Sequence, residues 1–412
     1  MKILFLTHYF PPEGNAPATR VFELTRRWVR AGHAVTVITG VPNVPNGIPY
    51  PGYRNRLLQR EIHDGIEVRR VWTFLAPNRG TIRRTLNYLS FMLSAILAGL
   101  FVPRPDVVIA TSPQFFCGWA GVWVSRLRRR PFIVEIRDIW PESIATVGAL
   151  RQPLLLRFLG WLEKRMYAAA RRIVTVGEGY KAQIEARGVS ANQLHVITNG
   201  VDRQVFSPRP RDEAVRARYG FTPDQFVCAY VGTIGMACGL DVVLRAAQRL
   251  KTAGRPDIRF LLAGDGATRE DLQKRARDLQ LDSVVFTGRL DKEQIPDLLS
   301  ASEACLVHLK KQDLFTSVFP SKILEAAAMQ RPIILGVAGF AAQLVKDAGA
   351  GIVIEPEDET QLVQAAEFLA DHRDQGLTFG RQGYENIARR FDWDSRAAAY
   401  LDLVRDVATG TR

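Results

Sequence analysis

Four residues near position 320 combine groups that suit a phosphate ester and a sugar. Pro320 and Ser321 are typical of a helix start, with Ser321 as N-cap, and Lys322 places a positive charge in the first turn. A helix N-terminus offers free N–H groups to a diphosphate. Glu325, one turn further on the same side, could accept hydrogen bonds from a ribose diol. On spacing alone, an ordinary surface helix with a Lys and a Glu fits equally well.

Glycine-rich turns follow two of the apolar runs. The turn Gly232–Gly239 reads GTIGMACG, and its residues Gly232, Thr233 and Gly235 could bring backbone N–H groups close to phosphate oxygens. A strand-to-helix turn that simply requires glycine is the alternative. The turn 264–266 reads GDG and is not the GxGxxG pattern of a dinucleotide site. We therefore predict no bound cofactor.

The elements that would carry these residues are short apolar runs separated by longer amphipathic stretches. This alternation predicts βαβ units in an α/β fold with two doubly wound parallel sheets facing across a cleft. We predict one domain over 1–200, with the C-terminal helix 393–412 packing back on it, and a second over 208–392. The Pro-rich, charged segment 201–214 is the predicted linker. The runs cover 2–8, 33–40, 66–71, 106–111, 131–138, 171–177 and 194–200, then 225–235, 259–266, 283–289, 304–310, 331–337 and 350–356.

The positive charge of the chain is confined to its first half. The net charge is +13, but residues 1–200 hold 27 Lys and Arg against 12 Asp and Glu, whereas the remainder is nearly neutral. A basic half indicates nucleic acid, an anionic membrane or a phosphate-rich ligand as partner. Helix-turn-helix, zinc-finger and RNP patterns are absent from the sequence, so we predict no nucleic acid. The four cysteines form neither CxxC pairs nor Cys/His clusters, which is typical of a reducing cytosol without structural zinc.

Apolar stretches in the basic half favour the membrane among these partners. Residues 86–102 carry no charge, and residues 115–124 lead directly into an arginine-rich segment. Tryptophan, apolar residues and flanking arginine together are typical of a protein lying on an anionic bilayer. We expect shallow insertion of 86–102; a helix buried in the core is the main alternative, and a true span is a third. Six of the seven tryptophans lie in this half: Trp28, Trp72, Trp119, Trp123, Trp140 and Trp161.

Nearly the whole chain resembles the retaining glycosyltransferases of family four, which have the GT-B fold. Within that family it is most similar to the bacterial surface-polysaccharide branch that contains the N-acetyl-L-fucosamine transferases. The resemblance implies a nucleotide-sugar donor held mainly by the second domain and an acceptor held mainly by the first. It rests on segments occurring in the family's order: THYFPPEGNAPATR, GHAVTVITG, EIRDIWPES, ITNGVD, YVGTIGMACGLD, AGDG, FTGRL and FPSKILEAAAMQRPII.

The resemblance assigns donor-binding roles, with two departures. Glu325 matches the second glutamate of the family's E-x7-E motif, which binds the donor ribose, but Ser317 stands where the first would be. The family's usual cations in the Gly-rich loop are also missing, which leaves Lys322 as the candidate to hold the diphosphate. The backbone at Arg289 and Leu290 would contact the nucleobase. Two further pairs complete the predicted donor site: Gly14 and Asn15 in the loop after the first strand, and Pro320 and Ser321.

The segment EIRDIWPE, at the carboxyl end of a buried strand, is the predicted catalytic loop. Asp138 is the first candidate to act on the acceptor hydroxyl, as base or orienter. Arg137 could contact phosphate or keep Asp138 ionised, and Glu142 is the second choice. A salt-bridged loop that stabilises the domain is the alternative. His8, at the end of the first strand, is a weaker candidate.

The reaction implied by the resemblance is a retaining, front-face transfer in which the leaving diphosphate helps to deprotonate the acceptor. We predict a UDP-sugar donor, no metal, and an acceptor saccharide on a polyprenyl diphosphate. The enzyme would then lie at the cytoplasmic face of the inner membrane, as a peripheral or monotopic protein. A nucleotide-sugar epimerase, in which 86–102 should be fully buried, and a non-catalytic membrane-associated scaffold stay open.

Overall fold

A computed structural model describes residues 1–44, 46–77, 81–112, 114–139 and 152–410. The chain forms two compact units. The first comprises Met1–Asn199 together with the C-terminal residues from Trp393 onward, and the second comprises Gly200–Asp392. The chain therefore leaves the first unit once and returns to it with its last helix.

The first unit contains an eight-stranded sheet in which only one strand, β3, runs antiparallel. Its order is β3-β4-β2-β1-β5-β6-β7-β8. The central strands are buried on both faces, which explains why their sequences are continuous apolar runs rather than alternating ones. The strands are β1 Lys2–Leu6, β2 Ala34–Thr39, β3 Leu58–His63, β4 Ile66–Val71, β5 Val107–Thr111, β6 Phe132–Ile136, β7 Arg172–Thr175 and β8 Leu194–Val196.

In the ranges that the structure describes, five helices connect the strands of this unit. Three of them, α2, α3 and α4, are neighbours: Gly99 of α2 lies against Val124 of α3, and Gly118 of α3 lies against Met166 of α4. Bulky side chains at these glycines would push the helices apart. The helices are α1 Ala16–Arg30, α2 Thr81–Leu100, α3 Phe115–Arg128, α4 Pro153–Ala169 and α5 Glu178–Glu185.

The second unit contains a six-stranded parallel sheet in the order β11-β10-β9-β12-β13-β14. Its strands are β9 Phe226–Val231, β10 Ile258–Ala263, β11 Val284–Gly288, β12 Ala304–His308, β13 Ile333–Gly336 and β14 Gly351–Val353. The helices of this unit are α6 Glu213–Arg218, α7 Asp241–Thr252, α8 Arg269–Asp278, α9 Ile295–Ser300, α10 Lys322–Ala328, α11 Phe340–Asp347, α12 Glu359–Asp371 and α13 Arg373–Gly383.

The last helix, α14 (Trp393–Thr409), packs on the first unit. Tyr400 meets Trp28 of α1 edge to face with ring centroids 5.4 Å apart, and the Trp28 indole N–H donates to the Ala397 carbonyl oxygen. The apolar side of α14 thus completes the core around β1 and β2, because it covers the face of the sheet on which α1 lies.

The predicted fold class is confirmed: both sheets are Rossmann-like, and every predicted apolar run contains a strand. One strand was missed, β3, because it lies at the sheet edge and its sequence LQREIH is mostly exposed and charged. The predicted linker 201–214 is in fact packed within the second unit. Val201 pairs with Asp392 as an isolated bridge, and Phe206 is buried in that unit's core.

Helix α2 divides its apolar residues between two faces. Phe91, Ala95 and Ala98 are buried against the sheet, whereas a second row points to solvent. Over the part of the chain that the structure describes, no helix combines the length and apolar character needed to cross a membrane. Neither a fully buried helix nor a span describes this segment. The exposed row contains Ile82, Leu86, Leu93 and Leu97, followed by Phe101 just beyond the helix end.

Candidate functional site

The strand order of the second sheet reverses between β9 and β12. These strands pair only through Ala304 with Cys228 and Cys305 with Ala229, although both continue beyond that point. Their carboxyl ends are therefore separated, and ligands of doubly wound sheets bind at such a switch point. The turn after β9 and the start of α10 both lie at this edge of the sheet.

The turn after β9 is held in place by the turn after β10. Gly232 N–H donates to the Ala263 carbonyl oxygen at 2.8 Å, and Ile234 N–H donates to that of Asp265 at 2.9 Å. A Cβ on Gly264 would collide with the Gly232 carbonyl oxygen, so the two backbones touch where side chains would normally intervene. The turn therefore has a defined backbone before any ligand binds.

Lys322 occupies the space where Gly232 would otherwise carry a side chain. A Cβ at Gly232, whose φ is +136°, would lie 2.5 Å from Cε and 2.7 Å from Nζ of Lys322. The ammonium also lies 5.1 Å from the ring centroid of Tyr230. Among the described residues it has neither a hydrogen-bond acceptor nor an acidic partner within ion-pair distance. Its charge is thus held at the start of the turn and left available.

Glu325, one turn along α10, is a half-buried carboxylate. Burial raises its pKa, and the positive charges of Lys322 and Lys292 only partly oppose that effect. Within the described ranges no protein group donates a hydrogen bond to its side chain. Helix α10 has only seven residues, and Ser321 stands at its N-cap position as predicted, although its side chain makes no capping hydrogen bond.

His308, at the end of β12, is a functional candidate that the sequence analysis missed. Its Nδ1 lies 2.7 Å from the Cys238 carbonyl oxygen, and its Nε2 accepts a hydrogen bond from Glu357 N–H at 2.9 Å. Burial lowers its pKa, so the ring is neutral and Nδ1 carries the proton. The imidazole therefore ties the far end of the Gly232–Gly239 turn to the sheet. Its only sequence signal is its place at a strand end.

The other predicted donor residues lie around the same edge of the sheet. Thr233 is exposed, and its carbonyl oxygen accepts from the Tyr230 hydroxyl at 2.7 Å, which shapes the turn before Gly235. Arg289 is exposed, whereas Leu290 is half-buried in a small apolar cluster. They follow Gly288, the carbonyl oxygen of which accepts from Gly264 N–H. Pro320 is half-buried directly before α10.

The strand preceding the predicted catalytic loop carries a buried ion pair that the sequence did not reveal. Nε and Nη2 of Arg20 donate to the Glu135 carboxylate at 3.0 and 2.9 Å, and the Thr111 hydroxyl donates to its other oxygen at 2.7 Å. Burial acts to raise the pKa of Glu135, but the charge and hydrogen bonds of Arg20 outweigh it and hold the pKa below its usual range. Arg20 also donates to the carbonyl oxygens of Ile197 and Thr198. Glu135 thus belongs to the scaffold rather than to a convergent acidic site.

Arg137 and Asp138 follow β6 and are both half-buried. Nε and Nη1 of Arg137 are buried, and no described residue accepts from them. Burial lowers the pKa of Arg137 to about 10 in spite of the attraction of Glu135, and nearby Arg20 lowers it further. Burial, with a contribution from Asp138, raises the pKa of Tyr180 to about 12. Glu142 lies outside the described residues.

The loop after β1 is more structural than predicted. The Asn15 side chain accepts from Ala18 N–H at 2.9 Å and caps α1, whereas Gly14 is exposed with open space around its Cα. Glu13 is buried and accepts from the N–H groups of Asn43 and Val44. Gly14 therefore has room to come close to a ligand, and the donor-binding role of Gly14 and Asn15 stays a prediction.

His8 packs edge to face against Phe91 of α2, with ring centroids 4.7 Å apart. Burial lowers its pKa to about 3, and a side-chain hydrogen bond with Asn87 opposes that effect only in part. It is thus neutral at any working pH. Across the ranges with described structure, no three His, Cys, Asp or Glu side chains are grouped as metal ligands. Metal independence stays a prediction.

Two sequence families match consecutive parts of the chain. Residues 15–200 match a family described as glycosyl transferase 4-like domain, and residues 211–386 match one described as glycosyl transferases group 1. The first match falls within the first unit, and the second falls within the unit that carries Lys322 and Glu325.

Similar proteins align over nearly the full length. A D-inositol 3-phosphate glycosyltransferase of Catenulispora acidiphila is 24% identical over 98% of this chain and 94% of its own. The putative colanic acid biosynthesis glycosyl transferase WcaI of Escherichia coli is 23% identical over 96% and 100%. The solved structure of Anabaena HepE with UDP and glucose superposes with a TM-score of 0.72 at 18% identity, over 98% and 99% of the two chains.

Proposed function

This chain is a GT-B glycosyltransferase of the group 1 type, and we propose that it transfers a sugar from a UDP-sugar to a saccharide carried on a polyprenyl diphosphate. We propose further that the sugar is an N-acetylated amino or deoxy-amino hexose and that its anomeric configuration is retained. The biological setting would be synthesis of an O-antigen, capsule or exopolysaccharide, in a branch resembling the N-acetyl-L-fucosamine transferases.

The observation that carries the donor proposal is the unpaired ammonium of Lys322 against Gly232. A cation without an acidic partner, beside a turn with a defined backbone at the switch point, suits the diphosphate of a nucleotide. HepE, which has the same fold, binds UDP. No described protein group donates a hydrogen bond to the Glu325 carboxylate, so this carboxylate would accept hydrogen bonds from the ribose hydroxyls.

The chemical step in this proposal needs little from the protein besides positioning and charge. The acceptor hydroxyl oxygen attacks the anomeric carbon as the bond from that carbon to the diphosphate oxygen breaks. The diphosphate keeps the electron pair and takes the hydroxyl proton from the same face, which retains the configuration. Lys322 would stabilise the negative charge that develops on the leaving diphosphate.

The acceptor proposal depends on the first unit. Asp138 would orient the acceptor hydroxyl, and Arg137 would contact a phosphate through its buried, unpartnered Nε and Nη1. Glu142 is retained as a second candidate from the sequence. Because a lipid-linked acceptor is confined to a bilayer, we propose that the basic first unit lies on the cytoplasmic face of the inner membrane. The exposed apolar row of α2 supports that attachment.

The exposure of this row also bears on the two alternatives. A GT-B epimerase would have no use for an apolar row facing solvent, since its substrate is soluble. A non-catalytic scaffold would keep the row but would not need an unpaired Lys322. The two features together favour a membrane-attached transferase.

The acceptor class is tested with purified protein, a panel of UDP-sugars and two acceptors. One acceptor is a polyprenyl-diphosphate-linked saccharide, and the other is the same saccharide without lipid or diphosphate. We expect transfer to the first at a rate at least about a hundredfold above the second, because binding energy from remote parts of the substrate is needed for turnover. Equal rates on both acceptors would contradict the lipid-carrier proposal.

The donor site is tested separately by titrating UDP into Lys322→Met. We expect affinity about 10–100-fold weaker than wild type, the worth of a charge-assisted hydrogen bond. Lys346→Met, which removes an exposed lysine from α11 in the same unit, is the matched control and should bind UDP normally. Unchanged UDP affinity in Lys322→Met would remove this residue from the site.

A further inference from the structure

A second cationic site lies at the opposite end of the first unit's sheet, near the amino ends of β6 and β7. It is an open surface depression of about 660 Å³ where the carboxyl ends of α3, α4 and α14 come together. We name it the arginine pocket after the four side chains that line it: Arg126, Arg129, Arg130 and Arg171. None of its lining residues is acidic.

The positive charge of this pocket is larger than the partial negative charge of the three helix C-termini that it faces. A helix C-terminus carries about half a negative charge, so three of them account for roughly −1.5 against four guanidinium groups. Backbone groups already serve some of these ends: Arg130 N–H donates to the Ser125 carbonyl oxygen, and Ala170 N–H donates to that of Tyr167. The only side-chain hydrogen bond from the four arginines that we find in the described chain is Arg171 Nη2 to the Gly410 carbonyl oxygen, at 3.1 Å.

One donor in the pocket is buried and unsatisfied. Nε of Arg130 is shielded from solvent, and no group in the described part of the protein accepts from it. A buried N–H without an acceptor costs free energy, and the cost is relieved when a ligand oxygen supplies the acceptor. Guanidinium groups bind phosphate oxygens in bidentate fashion, so a phosphate ester suits this pocket by charge and by geometry.

The pocket adjoins exposed apolar residues. Arg128 donates to the carbonyl oxygens of Leu100 and Val102 at 2.8 Å, which holds the end of α2 beside the end of α3. Phe101, next to Leu100, is 76% exposed, and Leu127, next to Arg126, is 55% exposed. Trp123 lies one turn before Leu127 on α3 and is also exposed. Cationic and apolar groups therefore alternate at one edge of the surface, an arrangement that matches an amphiphile.

We propose that the arginine pocket binds the phosphate of an anionic phospholipid headgroup, with Phe101, Trp123 and Leu127 in contact with the adjoining acyl region. The volume is sufficient for a headgroup. The choice of a lipid over free phosphate rests on the membrane attachment proposed above. The pocket would then set which edge of the first unit is in contact with the bilayer.

The test measures binding to vesicles of phosphatidylcholine with and without phosphatidylglycerol. We expect the wild-type protein to bind the anionic vesicles, and the triple variant Arg126→Gln, Arg129→Gln, Arg171→Gln to bind them at least about tenfold more weakly, because each basic residue near an anionic surface contributes to attachment. The control removes three exposed arginines of the second unit, as Arg218→Gln, Arg277→Gln, Arg381→Gln, and should change binding by less than about threefold.

Three results would overturn the proposal. Equal weakening in both triple variants would show an effect of net charge alone. Undiminished vesicle binding in the pocket variant would mean that helix α2, and not the arginine pocket, attaches the protein to the membrane. Binding of inorganic phosphate by the wild type that is lost in the pocket variant, while both proteins bind vesicles equally, would assign the pocket to a soluble anion.

The same variants separate this proposal from the proposed function. UDP titration should give wild-type affinity in the pocket variant, because the proposed donor site lies in the second unit. If the wild-type protein itself fails to bind anionic vesicles, the membrane part of the proposed function fails with it. If the wild-type protein and the pocket variant bind anionic vesicles equally well, the arginine-pocket proposal fails but the proposed transfer reaction still stands.

Discussion

The two units each hold a basic and an acidic residue at the carboxyl edge of a sheet, and they use them in opposite ways. In the first unit, Arg20 and Glu135 are fully buried and bonded to one another, and Thr111 and backbone carbonyl groups complete their hydrogen bonds. In the second, Lys322 and Glu325 lie on one short helix, and neither has an ion-pair partner in the described chain. The first pair is satisfied by the protein, whereas the second is left for a ligand.

The pKa values follow the same division. The pKa of Glu135 is lowered because Arg20 outweighs the effect of burial, whereas burial dominates at Glu325 and raises its pKa. A carboxylate that the protein stabilises contributes to folding. One that the protein leaves poorly stabilised is typical of a binding site. The difference therefore identifies Arg20 and Glu135 as scaffold, and Lys322 and Glu325 as site.

The largest effect should come from breaking the satisfied pair. Arg20→Met leaves Glu135 buried without its partner, and we expect the free energy of unfolding to fall by about 3–5 kcal/mol. Urea denaturation measures this change. Arg30→Met, on the exposed face of the same helix, is the control and should change stability by about 0.5 kcal/mol or less. Equal effects of the two substitutions would mean that the buried pair has no special structural role.

A smaller but functional effect is expected from displacing Lys322 without removing its charge. Gly232→Ala places a methyl group against Nζ and Cε of Lys322, in a backbone conformation that favours glycine. We expect the kcat/KM for the UDP-sugar to fall about 10–100-fold, as for the loss of one charge-assisted contact to the transition state.

The control for this displacement lies in the same turn. At Gly235 a methyl group would have only the Thr233 side chain nearby, at 3.4 Å, and φ is −113°. Gly235→Ala should therefore lose less activity than Gly232→Ala. A larger loss of activity in Gly235→Ala than in Gly232→Ala would indicate that the backbone at Gly235, and not Lys322, contacts the diphosphate.

The smallest effect concerns the pH dependence of stability. Below the pKa of an unfolded Glu, Glu325 is protonated in both states and Glu325→Gln should be neutral. The pKa of Glu325 is higher in the folded than in the unfolded state, so the wild type loses stability as pH rises from the unfolded toward the folded pKa. The variant does not titrate there and becomes the more stable of the two. The difference in stability stays constant above the folded pKa.

We expect Glu325→Gln to be more stable than the wild type at pH 8, measured by urea denaturation, and to bind UDP more weakly. For Glu135 the sign is opposite: its contribution is present above the unfolded pKa and is lost as pH falls through its lowered folded pKa. If Glu325→Gln makes the protein less stable at pH 8, Glu325 has a structural role rather than a ligand-binding one.

Much of this fold was predictable because its signals are local. Continuous apolar runs of β-branched residues predicted thirteen strands in the right places, since strands buried on both faces need no alternation. The missed strand β3 is an exposed edge strand, where that requirement does not apply. Within the site, spacing places Lys322 and Glu325 on one helix, again a local property, whereas their donor-binding roles were predicted from the family resemblance.

The partners of these residues were not predictable in the same way. The Asn15 side chain caps α1 in addition to standing in the predicted donor loop, and Glu135 belongs to the scaffold because Arg20, distant in sequence, is brought beside it. His308 gave no usable signal, since its two hydrogen bonds reach Cys238 and Glu357, which lie 70 and 49 residues away.

The order of residue types along the chain was enough to predict the apolar runs, the two doubly wound sheets and the confinement of positive charge to the first half, because each depends on residue type and spacing. Which charges have a partner could be seen only in the folded protein. That property depends on the atoms within about 3 Å of each group. The strand order that brings Lys322 to Gly232, and Arg20 to Glu135, joins residues remote in sequence.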